Sequence, residues 1–255
     1  MRYILIIILL FILFLLINIK NIKEKFNNKP SICVITQFYI PKNKERYKEI
    51  HECLVRNLNN KFIDKIILFG EKNYDFEKIL KNNYDNFLKK VKFINIGKKL
   101  NYKHAFEHCN SLCEKSQTNC IFMLTNSDIY FDNTLKNLLN YDFNKKFLAL
   151  SRIDIKKNNE LEYRKNSHNS QDTWIWKNKI VVSSHPKFKY YNGDGIIMGV
   201  MGCDNYIAYL MDYSGYTVEN KCKLINTFHL HKNDFRPSRH DKNYTKEFTK
   251  HIKCV

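Results

Sequence analysis

Short apolar runs recur along this chain with amphipathic segments between them, and that alternation limits the folds open to it. The runs are "ICVITQFY" (32–39), "IDKIILFG" (63–70), "VKFINIG" (91–97), "CIFMLT" (120–125) and "FLALSRID" (147–154). Each is rich in β-branched or aromatic residues and bounded by polar punctuation, which predicts strands. Between the first two, Tyr47, Ile50, Leu54 and Leu58 recur at three- and four-residue steps. Between the third and fourth, Tyr102, Ala105, Phe106, Cys109, Leu112 and Cys113 do the same, so each spacing predicts a helix with one inward face. Strand and helix alternating at about thirty residues per unit require crossover connections, hence an α/β fold with a mostly parallel central sheet covered by helices.

In such sheets ligands gather at the carboxyl ends of the strands. The fourth run ends there in "TNSDIYFD", placing Asp128 just past a buried strand and Asp132 just before "NTLKNLL", where it is a candidate helix cap. There is no G-x-G-x-x-G and no G-x-x-x-x-G-K-[ST], and with seven glycines in all a glycine-rich phosphate cradle is not expected.

The first residues, "MRYILIIILLFILFLLINIK", are apolar from Tyr3 to Ile17 apart from the tyrosine hydroxyl. As a helix these positions cover about 22 Å, short of a full bilayer core unless Ile19 and local thinning contribute. No small-x-small cleavage pattern follows, so residues 1–20 are expected to be an uncleaved signal-anchor rather than a removed signal peptide or a buried helix, with a stem over 21–30 and a catalytic domain over 31–255. Lys20, Lys23 and Lys25 outnumber the charges before the run, which on the positive-inside rule favours the opposite topology to a secreted domain. A single-pass type II protein with a lumenal domain is nevertheless the expectation, because the chemistry below suits it.

The formal charge of +18 by itself suggests an anionic partner. The charge is carried mostly by scattered lysines with no dense basic block, so nucleic acid is not expected as a partner. The eight cysteines form no C-x-x-C and read as neither a disulfide scaffold nor a zinc ribbon. Cys109 and Cys113 are placed to pack inward. His104 and His108 near them point to a different face, which argues against zinc there.

The later part of the chain, 155–255, is less regular. Ile207, Leu210 and Met211 mark a short helix with Asp204 near its start and Gly215 as its stop. In "FHLH", His229 and His231 alternate with Leu230, so both project from one face of a strand.

Over about residues 31–240 the layout resembles the GT-A-type glycosyltransferases of the nucleotide-diphospho-sugar transferase superfamily, family 2-like members in particular. "TNSDIYFDNTL" is similar to their D-x-D segment, "MGCDNYIAYLMDYSGY" to the G-x-E-D segment, and "FHLH" to the late histidine of the metal site. "SQDTWIW" resembles a motif of a glycosyltransferase-like group sharing these landmarks. The resemblance implies a GT-A-like α/β/α sandwich, with a nucleotide-binding half (31–154) and an acceptor half (155–255). It implies that Mn2+ or Mg2+ is held by Asp128 with His229 or His231, and that Asp204 is the general base, with Asp172 as an alternative base or an acceptor contact. Asn126 stands where the first acid usually lies, so it can hydrogen-bond ribose or phosphate without adding charge. Glu71 falls where an acid often meets the nucleobase, and Arg236 and Arg239 are candidates to grip phosphate. The implied reaction moves a sugar from a nucleotide-sugar donor to a hydroxyl of a glycan, protein or lipid. Three other readings remain: a catalytically silent membrane-anchored binder of glycan or nucleotide, a metal-dependent hydrolase, and a nucleic-acid protein.

Overall fold

The computed structural model describes residues 29–115, 119–156, 158–164, 168, 170–184, 196–200, 202–230 and 249–255. The apolar N-terminal run, His231, Arg236 and Arg239 lie outside these residues. Among the described residues no helix is long and apolar enough to cross a membrane. Residues 31–255 form one compact unit.

Four of the five predicted strands form as single elements: β1 (Ser31–Phe38), β2 (Lys65–Gly70), β3 (Val91–Asn95) and β4 (Cys120–Thr125). The helices α1 (Lys44–Asn59) and α4 (Tyr102–Lys115) occupy the two predicted spans, with the short α2 (Phe76–Leu80) and α3 (Tyr84–Lys90) between β2 and β3. Asn43 caps α1, its Oδ1 accepting from the Arg46 N–H at 3.0 Å. After β4 come β5 (Ile129–Phe131) and a 3₁₀ helix, Asn133–Asn140, capped by the Asp132 carboxylate as the sequence predicts.

The predicted fifth strand divides. Its first part is β6 (Lys146–Leu150) and its last residues open β7 (Ile153–Ile155), in a different sheet. The break falls at Ser151 and Arg152, both buried. The Ser151 N–H donates to Asn220 Oδ1 at 3.0 Å, and the Arg152 guanidinium turns inward between two aspartates, so neither continues a ladder. Later come β8 (Leu161–Tyr163), β9 (Thr173–Lys177), α5 (Cys203–Tyr213), β10 (Thr217–Glu219) and β11 (Thr227–Leu230).

The main sheet runs β10-β6-β9-β4-β1-β2-β3. Its pairings are parallel except those of β9, which lies antiparallel between β4 and β6. Alternating side chains feed two cores. Ile35, Phe122, Trp174 and Trp176 pack with α4 and α5 on one face, and Val34, Met123 and Ile175 pack with α1 on the other. A second sheet, β5-β11-β7-β8, lies at the carboxyl end of β4.

Two asparagines near the end of α1 secure that second sheet. Asn57 Nδ2 donates to the Ile129 carbonyl at 2.9 Å and its Oδ1 accepts from the Phe131 N–H at 3.2 Å. Asn60 Nδ2 donates to the Phe131 carbonyl at 3.0 Å. These amides satisfy the side of β5 that faces away from β11. Gly215 stops α5 with φ 85°, a left-handed conformation a side chain would strain. Cys222 and Cys254 form a disulfide, not anticipated from the cysteine spacing, which pins the C-terminal residues beside Asn220.

Asn57→Ala strands a buried carbonyl and a buried N–H of β5. The expected loss is about 2–3 kcal/mol in a denaturant melt, against under about 0.5 kcal/mol for an exposed control such as Asn82→Ala. Reducing the disulfide, which closes a separation of 32 residues, is expected to cost about 2–4 kcal/mol by the same melt, with Cys254→Ser giving the same shift.

Candidate functional site

β4 is the central strand of the main sheet, and the turn that follows it carries Asn126 and Asp128. Because β9 runs antiparallel to β4, its beginning lies beside the end of β4, and Thr125 pairs with Thr173. That register brings Asp172 to Asn126. The Asn126 N–H donates to the Asp172 carbonyl at 3.1 Å and Asn126 Nδ2 donates to Asp172 Oδ1 at 2.8 Å. The other Asp172 oxygen accepts from Arg152 Nη1 at 2.7 Å.

β11 supplies the histidine. It pairs with β5 on one side and β7 on the other, so His229 lies level with both Ile129 and Asp154. His229 Nε2 is 2.9 Å from Asp128 Oδ2, and its Nδ1 is 2.9 Å from Asp154 Oδ1. Asp154 also accepts from Arg152 Nε at 2.7 Å. From the first turn of α1, Arg46 Nη2 reaches Asp128 Oδ2 at 2.7 Å while Nη1 holds Glu49 at 3.2 Å. A continuous chain results: Arg46, Asp128, His229, Asp154, Arg152, Asp172, Asn126.

Burial alone would push the Asp128 carboxyl up, but His229 and Arg46 outweigh it and hold it well below the usual carboxylate range. Burial works against a charged His229 too, and there Asp128 and Asp154 prevail, raising the imidazole above its ordinary value. Asp154 is likewise held low against its burial, by His229 and Arg152.

Asp204 stands apart from this chain. It is the second residue of α5, just past Gly202, whose φ of 89° turns the backbone into the helix, and its Oδ2 accepts from the Gln171 N–H at 3.2 Å. Close packing and the nearby Asp172 carboxylate push its carboxyl up to about 7. Tyr102 and Cys203 lie beside it, with the Tyr102 hydroxyl 3.6 Å from Cys203 Sγ. A carboxylate titrating near neutrality is suited to taking a proton from a hydroxyl.

Protein-family models and curated proteins gave no match to this chain. Solved structures did. A mannosyltransferase from Pyrobaculum calidifontis, in complex with GDP-Man and Mn2+, superposes with a TM-score of 0.50 at 11% identity, over 82% of this chain and 59% of its own. The chain has a GT-A-like fold. More distant are a GalNAc-transferase with UDP, GalNAc and Mn2+ (TM-score 0.48, 9% identity, 81% of this chain and 45% of that one) and 4-diphosphocytidyl-2C-methyl-D-erythritol synthase from Anaerococcus prevotii (0.37, 14%, 60% and 72%). The chain thus spans about three fifths of the mannosyltransferase and less than half of the GalNAc-transferase.

Within the GT-A-like fold, the predicted residues separate by place. Asp128 and His229 meet. Asn126 and Asp172 join the same chain but bind each other, so the Asn126 amide N–H is turned to protein, and Asp172, buried with both oxygens engaged, holds neighbours in place and is poorly disposed to act as a base. Glu71 lies at the end of β2, its Oε1 accepting from Gln37 Nε2 at 3.0 Å, while Gln37 Oε1 accepts from the Leu100 N–H. Arg46, Arg152 and Asp154 were not anticipated. Arg46 had a signal: it sits in the first turn of a helix, where the dipole favours acids over a cation. Arg152 and Asp154 were hidden inside a run read as one strand.

Among the described residues no group of three or more His, Cys, Asp or Glu side chains is arranged to hold a metal ion. Two donor atoms are adjacent, however. A separation of 2.9 Å between His229 Nε2 and Asp128 Oδ2 is close to the roughly 3 Å between neighbouring ligands of an octahedral ion with bonds of about 2.1 Å. Asp154 on Nδ1 is the carboxylate support that ligating histidines commonly have. With the Nδ1–H donating to the Asp154 carboxylate, Nε2 faces the Asp128 carboxylate, which requires either a second proton or a cation. The set fits an ion that takes two protein ligands, in competition with Arg46 for the same oxygen.

Asp204 binds a proton more tightly folded than unfolded, so its contribution to stability falls as pH rises from about 4 to about 7 and is flat above. Asp128 and Asp154 act oppositely, stabilising above the ordinary carboxylate range and losing that as pH falls. Asp204→Asn should therefore gain on the parent as pH rises, by on the order of 1–2 kcal/mol between pH about 5 and about 8. Thermal melts across that range check this, and a difference independent of pH is the contrary result.

Proposed function

We propose that this chain is a glycosyltransferase that moves a sugar from a nucleotide-diphosphate donor to an acceptor hydroxyl with the help of Mn2+ or Mg2+. The carrying observation is the Asp128–His229 pair at the carboxyl end of the central strand, with Asp154 bracing the imidazole. The Mn2+ and GDP-Man in the mannosyltransferase of like fold support the choice of cofactor and donor class.

Residues 31–154 form the nucleotide-binding half in this reading, and 155–255 the acceptor half, which lends β9 and β10 to the main sheet. Asp128 and His229 hold the ion, with His231 as a further ligand. When bound, the ion neutralises charge that gathers on the departing diphosphate. Asp204 takes the acceptor proton while the hydroxyl oxygen bonds to the sugar's anomeric carbon and the nucleoside diphosphate leaves with the electron pair of the broken bond. Arg152 holds Asp172 and Asp154 together, and through Asp154 braces the ion-holding His229. Glu71, oriented by Gln37, contacts the nucleobase, and Arg236 grips phosphate. The apolar run at 3–17 anchors the chain in a membrane as a type II protein. The Cys222–Cys254 disulfide supports an oxidising, lumenal setting for the domain.

A second reading has one specific observation behind it. The acid of the N-x-D element is already paired with Arg46, as in a binder that has lost its chemistry.

The test is a thermal-shift series of nucleoside diphosphates with and without manganese. A nucleotide present at about a hundred times its Kd should stabilise by about 2.7 kcal/mol, and only when manganese is present. Asp128→Asn should abolish the manganese-dependent part. Asp204→Asn should leave it intact while removing acceptor-dependent release of diphosphate. Stabilisation by nucleotide alone, unchanged in the Asp128 variant, goes against the metal-dependent transferase.

A further inference from the structure

Arg46 and His229 reach the same oxygen of Asp128, yet they are unequal partners. Arg46 Nη2 lies 2.7 Å from Asp128 Oδ2, and His229 Nε2 lies 2.9 Å from it. The imidazole is fixed: Asp154 holds its other nitrogen, and its strand is paired on both sides. Arg46 arrives on a long side chain from the first turn of α1. That side chain is 22% exposed, against 6% for His229 and 7% for Asp128, so of the three the arginine is the one that solvent reaches. Among the described residues, the approach to Asp128 Oδ2 lies on the arginine's side.

An ion held by Asp128 Oδ2 and His229 Nε2 through bonds of about 2.1 Å stands within about 5 Å of Nη2. A guanidinium and a divalent cation repel at that distance while drawing on one carboxylate. The start of α1 adds to the pressure. Its N–H groups disfavour a cation, Lys42 and Lys44 are exposed beside it, and Glu45 is engaged by Lys48 at 2.7 Å. Once the ion takes Asp128, Arg46 Nη2 needs another anion. Glu49, one turn on and 6% exposed, still holds Nη1 at 3.2 Å. The guanidinium is therefore tethered at one nitrogen while the other is released beside the ion, where the diphosphate of the donor is to be neutralised. Its planar fork of N–H donors suits phosphate oxygens.

We propose that Arg46 is a stand-in for the ion: it neutralises Asp128 until the ion binds, and then, pivoting on Glu49, it passes Nη2 to the donor's diphosphate. The proposal rests on the glycosyltransferase reading and adds Arg46 to the groups that touch the donor. It also gives the Arg46–Asp128 pair a use other than lost chemistry, since a buried carboxylate awaiting an ion would otherwise rest on His229 alone. Arg46 becomes available to phosphate only after the ion has arrived.

The experiment titrates the full chain in detergent with manganese alone, reading the free ion by electron paramagnetic resonance. Arg46→Gln should bind manganese at least about tenfold more tightly than the parent, because the competitor for Oδ2 is gone. Lys44→Gln, which removes a neighbouring exposed charge that does not touch Asp128, should stay within about twofold of the parent. At saturating manganese, Arg46→Gln should bind the nucleoside diphosphates (ADP, CDP, GDP, UDP) about ten- to a hundredfold more weakly, and Arg46→Lys should recover part of the loss. A merely structural arginine would not move the two affinities in opposite directions. In the parent itself, modification of Arg46 by phenylglyoxal, read by mass spectrometry, should quicken with manganese and slow again when nucleotide is added, a pattern that holds even if Arg46→Gln does not fold. Manganese bound no more tightly by Arg46→Gln than by Lys44→Gln, or equal modification of Arg46 in all three conditions, overturns the inference and leaves the metal-dependent transferase standing. Tighter manganese with unchanged nucleotide affinity overturns the handover to phosphate. If neither the parent nor Arg46→Gln binds manganese, the transferase reading itself fails and takes the inference with it.

Discussion

Asp128 is a buried carboxylate, and the site is built around keeping it charged. Taking such a group out of water costs several kcal/mol, so it persists as an anion only with cations against it. Arg46 comes from α1 and His229 from β11, on either side of the turn that carries the acid. Each cation in turn has its own carboxylate, Glu49 for Arg46 and Asp154 for His229. The charges cannot be satisfied one at a time. Removing a member takes one partner from a buried neighbour: without His229, Asp128 rests on Arg46, and Asp154 on Arg152 and Arg164.

That demand explains features of the architecture that hydrophobic burial does not. A run of eight residues with strand character divides at Arg152 because the guanidinium is needed inside, between Asp154 and Asp172. Its division starts a second sheet, and that sheet places His229 between β5 and β7. Asn57 and Asn60 then complete the free side of β5 with amide groups from α1. The helix that supplies Arg46 therefore also secures the strand that follows Asp128, so donor and acceptor of the central ion pair are tied to one rigid element.

Asp204 has the opposite environment. It lies at a helix start, where backbone N–H groups favour the anion, yet packing and the Asp172 charge prevail and bring its carboxyl to about 7. Asp128 and Asp204 are thereby moved in opposite directions, one carboxyl held well below its usual range and the other pushed up to about 7. In the proposed transferase, that difference suits stabilising charge at one residue and removing a proton at the other.

Periodicity was enough for the class of fold, because it reflects which faces must be buried. Ile50, Leu54 and Leu58 mark one face of α1 whatever it packs on, and the β-branched runs become β1 to β4. The sequence also pointed to Asp128, His229 and Asp204 as candidates, since each is next to a signal with local meaning: a strand end, an alternating strand, a helix start. Tertiary structure alone decided their partners. Asp128 and His229 are 101 residues apart, Arg46 and Asp128 are 82 apart, and Asn126 reaches Asp172 only because β9 enters the sheet antiparallel beside β4. The Cys222–Cys254 disulfide depends likewise on a distant approach. Periodicity carries the requirement that a surface be covered, but the pairing of a buried charge is a demand for one particular atom, and the chain meets it only after the sheet has set which strands are neighbours.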